Sequence, residues 1–236
     1  LSMFALSVSA QVTTIPSIIQ KGYAGEVTII FNPNEGNKGM VGATQCYAHT
    51  GVTYDGTQWQ NAPTWCSKLD KHKMSKNADG NWELKITPNI HEYYGVKADK
   101  EITQLCFVFN DGISGGKEGK AEGNADIFVD LAENGLAVSI TNALPEISKL
   151  NDKLTLHCVA TETAALSLTV NGTEIAKGEG TELKVDYTLE TIGDYRFEFI
   201  ATKGSEVKQI SAQTCVVVAP EQAPRPEGID MGIYYN

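Results

Sequence analysis

At 236 residues the chain has room for one or two domains, and 42% apolar residues can fill a packed core, which excludes wholesale disorder. A net charge of −10 excludes a groove of clustered Lys and Arg against phosphate, so no nucleic-acid partner is expected. None of the five cysteines falls in a Cys-x-x-Cys or paired Cys/His spacing, so no metal site and no cofactor are expected.

The first ten residues, Leu1 to Ala10, are apolar and small and end in Val8-Ser9-Ala10. They read as the back half of a secretory signal peptide, which places the protein outside the cell or on its surface. Later apolar runs such as Ile29-Ile30-Phe31 are strand-sized, far below the roughly 20 residues a membrane helix needs, so no membrane span is expected.

The pattern then has period two almost throughout. Strands are expected at 26–31, 45–50, 82–86, 105–110 and 126–131, with one short helical turn near Ile90–Tyr94. After Glu133-Asn134-Gly135 a second series follows at 137–141, 153–161, 165–170, 173–176, 182–188, 193–202 and 206–218. Asn171-Gly172 lies between two alternating runs and predicts a tight hairpin. Gly193-Asp194-Tyr195-Arg196-Phe197 resembles the tyrosine corner of immunoglobulin-like sandwiches. Cys158 and Cys215 fall in one half and are the favoured disulfide pair, with two buried free thiols the alternative. The expected fold is all-β, two Ig-like β-sandwich domains in tandem. The boundaries are 1–10 signal remnant, 11–132 first sandwich, 133–219 second sandwich, and 220–236 a proline-rich linker opening a further domain.

A sugar offers apolar C–H faces and a rim of hydroxyls. Its site therefore wants flat rings for the faces and polar side chains for the rim. Strand alternation puts Tyr47 and His49 on one face. Trp59 follows in a polar setting, then Ala62-Pro63, Trp65 and Lys73-Met74, then Gly80-Asn81-Trp82, and finally Phe109-Asn110-Asp111-Gly112. Trp82, Phe107 and Phe109 sit at alternating spacing with Leu84 and Ile86 or with each other and are assigned to the core. Tyr93 and Tyr94 are assigned to packing.

In this order the pieces resemble the starch-binding carbohydrate-binding modules of families 25 and 26, over roughly 25–131. The resemblance implies Tyr47 and Trp59 as stacking platform and His49 at a sugar hydroxyl. Trp65 would be an added ring, and Asn110 and Asp111 would serve the rim or hold its loop. It implies an α-glucan partner (starch or maltooligosaccharide) and a catalytic domain downstream in the same parent chain. Such modules lead secreted α-amylase-family proteins of Bacteroidetes, in glycoside hydrolase family 13. No catalytic carboxylate pair or nucleophile elbow is legible in the chain itself. The second reading is a non-enzymatic surface adhesion or scaffold protein built from Ig-like domains.

Overall fold

The structure, a computed structural model, describes residues 11–142 and 144–218. The signal-like segment 1–10 and the linker 220–236 lie outside the described residues. What is described is built from strands, with one short α-helix.

The first nine strands form two antiparallel sheets. One runs β1-β2-β6-β5, from β1 (Val12–Ile15), β2 (Val27–Phe31), β5 (Ser75–Lys76) and β6 (Trp82–Ile86). The other runs β4-β3-β7-β8, from β3 (Tyr47–Tyr54), β4 (Thr57–Gln60), β7 (Gln104–Asn110) and β8 (Glu118–Gly119). The strand β9 (Ile127–Asp130) also pairs with β7. Alternation aims Val27, Ile29 and Phe31 of β2 and Trp82, Leu84 and Ile86 of β6 at Ala48 and Val52 of β3 and at Leu105, Phe107 and Phe109 of β7. Phe31 and Phe109 stack across the two sheets at 4.0 Å. The result is a β-sandwich, with Trp82, Phe107 and Phe109 in its core as their spacing predicts.

The expected helical turn is α1 (Ile90–Tyr94). Asn89 caps it, accepting from the Glu92 N–H, and Gly95 ends it in the left-handed region at φ 66°. Its Ile90, Tyr93 and Tyr94 enter the core, and the Tyr94 hydroxyl meets Thr50 Oγ1 at 2.6 Å.

The remaining strands form one curled sheet around a second set of buried side chains. They are β10 (Val138–Ile140), β11 (Ile147–Lys149), β12 (Lys153–Val170), β13 (Thr173–Thr188), β14 (Gly193–Lys203) and β15 (Glu206–Val217). The long β12 carries β10 at Cys158–Ala160 and β14 at Ala165–Val170, with β13 beside both stretches. An irregularity between Val159 and Ala164 lets one strand serve both parts. Two pairs of expected strands are therefore single strands: 153–161 with 165–170, and 173–176 with 182–188. The Asn171-Gly172 hairpin forms, both residues at positive φ, and joins Val170 to Thr173. Tyr195 makes the expected corner: its hydroxyl accepts from the Thr191 N–H at 2.9 Å and meets Thr191 Oγ1 at 2.8 Å.

All five cysteines are free. Cys158 and Cys215 are not joined, because alternation sends them to opposite faces. Cys158 is fully buried among the core residues of β12, whereas Cys215 lies between inward-facing Thr214 and Val216 and points out. Burial pushes the Cys158 thiol up to about 12, so it behaves as an inert hydrophobe.

Candidate functional site: an aromatic face on the outer sheet

The sheet containing β3 and β7 has a second face. Since Ala48 and Val52 point into the core, Tyr47, His49, Gly51 and Thr53 point away from it. Their cross-strand partners on β7 are Asn110, Val108, Cys106 and Gln104. On β9, Ile127 is core and Val129 packs against it, which leaves Phe128 on the outer face.

The chain after β3 folds back over this face. Asp55 and Gly56, both at positive φ, reverse it into β4, and Gln60 pairs with Val52. Gly51 lies directly beneath. A Cβ there would stand 2.9 Å from the Gln60 carbonyl oxygen and 3.0 Å from Ala62 Cβ. Trp59 and Asn61 both take the left-handed conformation, at φ 61° and 58°. For a bulky aromatic that backbone is strained and must be held by its surroundings. Trp59 Nε1 donates to Asp126 Oδ2 at 3.1 Å, and Asn61 Nδ2 donates to the Tyr94 carbonyl at 2.8 Å.

These constraints assemble rings. His49 stacks on Trp59 at 5.2 Å and 29°, and Trp65 meets His49 edge-on at 4.9 Å and 73°. Phe128 meets Trp59 edge-on at 6.4 Å and 64°. Trp65 is 42% exposed and Phe128 39%, while Trp59 and His49 are half-buried. Burial holds the His49 pKa below its ordinary value, partly opposed by Asp126, and its Nδ1 has no hydrogen-bond partner among the described residues. The imidazole is therefore neutral at neutral pH, with its Nδ1 buried among the rings.

Of the six residues read as a site, His49, Trp59 and Trp65 come together. Tyr47 does not display its ring. It is 7% exposed and lies under the turn at Gly112, where a Cβ would stand 3.0 Å from Tyr47 Cε2. Asn110 is buried and accepts from the Gly112 N–H at 2.9 Å. Asp111 accepts from the Ile113 and Lys117 amides at 3.0 and 3.1 Å. Both side chains hold that loop, the second of the two roles expected for them. Phe128 and Asp126 were missed. The signal was available, since Ile127 and Val129 form an apolar pair whose intervening ring must point outward.

Behind the rings, His72 closes a 3-10 turn at Asp70–His72. It is 3% exposed, sits 5.8 Å from the Tyr93 ring, and has an unpartnered Nδ1. Burial, with Lys71 and His49 nearby, lowers its pKa from 6.5 to about 4. The folded form thus favours neutral His72. That stability is complete above pH 6.5 and drains away as pH falls toward 4. Denaturation followed between pH 7 and 4 is expected to show a loss on the order of 3 kcal/mol that His72→Gln flattens. An equally steep loss in His72→Gln would assign it to other groups.

Among the described residues no cluster of three or more His, Cys, Asp or Glu is placed to hold a metal, and no helix is long and apolar enough to cross a membrane. Residues 23–117 match the model of a family described as a domain of unknown function, DUF8578. No similar curated protein was found. The fibronectin(III)-like modules of Clostridium thermocellum CbhA are similar at 17% identity and TM-score 0.30, over 35% of this chain and 99% of that one. A chimeric titin Z1Z2-Z1Z2 tandem is similar at 15% identity and TM-score 0.29, over 85% of this chain and 94% of that one. The endo-beta-1,4-mannanase of Thermotoga petrophila is similar at 11% identity and TM-score 0.29, over 36% of this chain and 20% of that one. Scores this low carry no inference about ligand or activity.

Proposed function

We propose that the outer face of the first sandwich binds starch-like α-glucan. On this reading residues 11–132 are the binding module and 133–219 a spacer. The parent is a secreted α-amylase-type protein whose catalytic domain follows in the same chain. The observation that supports it is the convergence of His49, Trp59 and Trp65, with their rings set at 29° and 73° to one another. Rings inclined in this way offer a bent surface, which suits a coiled glucan better than a flat ribbon. The lowered His49 pKa keeps positive charge off this face, which suits a ligand without charge.

Binding of roughly millimolar to micromolar strength, about 4–8 kcal/mol, is expected for such an open surface. A tether of that strength raises the local concentration of an insoluble substrate at an attached catalytic domain. Native electrophoresis in gels containing amylopectin tests the reading. The wild-type protein is expected to be retarded, and Trp65→Ala to lose about tenfold in affinity, about 1.4 kcal/mol. An unretarded wild type overturns the glucan. A retarded Trp65→Ala with unchanged affinity overturns the site. Retention of another copy or another protein, with none on glucan, would favour the adhesion reading.

A further inference from the structure

The last strand of the outer sheet carries a pattern that the three central rings do not use. Alternation along β9 puts Asp126, Phe128 and Asp130 on the outer face, while Ile127 and Val129 turn to the core. An exposed ring is thus flanked by a carboxylate two residues to either side. Neither carboxylate floats free. Asp126 Oδ2 accepts from Trp59 Nε1, and Asp130 Oδ1 accepts from Gln104 Nε2 at 2.7 Å. Gln104 Oε1 in turn accepts from Thr53 Oγ1 at 3.1 Å and Gln58 Nε2 at 3.0 Å. A polar row from Gln58 through Thr53 and Gln104 to Asp130 therefore crosses four strands. It lies one register step from the row of Cys106 and Phe128.

The geometry points to β9 as a second sugar subsite, continuous with the Trp59 ring. Phe128 supplies the face, and Asp126 and Asp130 accept hydroxyl protons at the rim. The chemical class is an uncharged glycan long enough to span from Trp65 to Phe128, bound along its interior across the strands. Among the described residues, no protein donor reaches the remaining carboxylate oxygen of either Asp. A sugar's neighbouring hydroxyls match that need. A uronate or sulfate would instead meet like charge on both sides of the ring. This subsite rests on the reading of the face as glycan-binding.

The test is native affinity electrophoresis of the full chain in gels of amylopectin, mixed-linkage β-glucan, galactomannan and polygalacturonate. The variants are Phe128→Ala, Phe128→Tyr and Trp65→Ala. Phe128 is 39% exposed and touches Trp59 only edge-on, so Phe128→Ala is expected to keep the fold and leave the tryptophan emission unshifted. It is expected to lower affinity for the retained neutral polymer by about fivefold, with Phe128→Tyr restoring it. Phe128→Ala binding like wild type, while Trp65→Ala binds weakly, overturns the subsite and leaves the site reading intact. Retention on a neutral polymer other than amylopectin that depends on Phe128 supports the subsite and overturns the α-glucan. Retention on polygalacturonate overturns the neutral ligand class. No retention on any polymer overturns both.

Discussion

Replacing Phe109 by alanine is expected to cost about 3–5 kcal/mol of unfolding free energy. Phe109 is fully buried and is stacked between neighbours on both sides. It lies 4.0 Å from Phe31 of the facing sheet and 5.7 Å from Phe107, the next inward residue of its own strand. Gly119 of β8, the register partner of Phe109, packs against the stacked Phe31: a Cβ there would stand only 2.6 Å from Phe31 Cζ. The ring therefore joins two sheets at a place where the backbone is already close. Collapse is blocked by β3 and β8, which pair with β7 on either side of position 109, so a cavity persists. Urea denaturation measures it. A cost under about 1 kcal/mol would mean that the sheets close over the gap.

Gly51→Val is the second large effect, and it strikes the rings rather than the core. The segment 59–62 crosses Gly51 with no room for a side chain, and Gln60 O, Ala62 Cβ and Trp59 C all lie within 3.2 Å of where a Cβ would be. Two of those three atoms belong to backbone, so no rotamer change relieves the clash. The ply carrying Trp59 must lift, breaking the Trp59–Asp126 and Asn61–Tyr94 hydrogen bonds together. A destabilisation of about 1–3 kcal/mol is expected, with a red-shifted tryptophan emission and loss of the proposed glucan retention. Unchanged emission and retention would show that the ply has another support.

The core was legible because its residues obey alternation. Trp82, Leu84 and Ile86 on β6 and Phe107 and Phe109 on β7 need only period two to be assigned inward. The short helix was legible only as a helical turn near Ile90–Tyr94; its Asn89 and Gly95 caps are seen in the structure. Two things were not. The strands β12 and β13 run through a break in register near Thr161, and a break reads as an end when partners are unknown. The hydrophilic β4 looks like loop, although the Asp55-Gly56 pair that turns β3 into it is a strong hairpin signal. Missing that hairpin also hid why Trp59 is held so close to His49. Tyr47 failed for a different reason. Its strand has the expected face, but a turn distant in sequence, at Gly112, lies over the ring. Alternation tells which way a side chain points and nothing of what the chain later lays on top of it.

The pairing of β11 with β15 has a mechanical side. These two strands are parallel, with Ile147 beside Cys215 and Lys149 beside Val217, while the other strand pairs around that core are antiparallel. A pull that draws the start of β11 one way and the end of β15 the other slides the strands along each other. The Cys215-to-Glu146 and Leu150-to-Val217 backbone hydrogen bonds are then strained together rather than peeled one by one, and the Ser148–Thr214 hydroxyl contact is strained with them. Forced unfolding is governed by the barrier to the first rupture. Tension that enters through the chain ahead of β10 loads the antiparallel β10–β12 pairing first and then this three-residue parallel clamp, so the two ruptures come in that order.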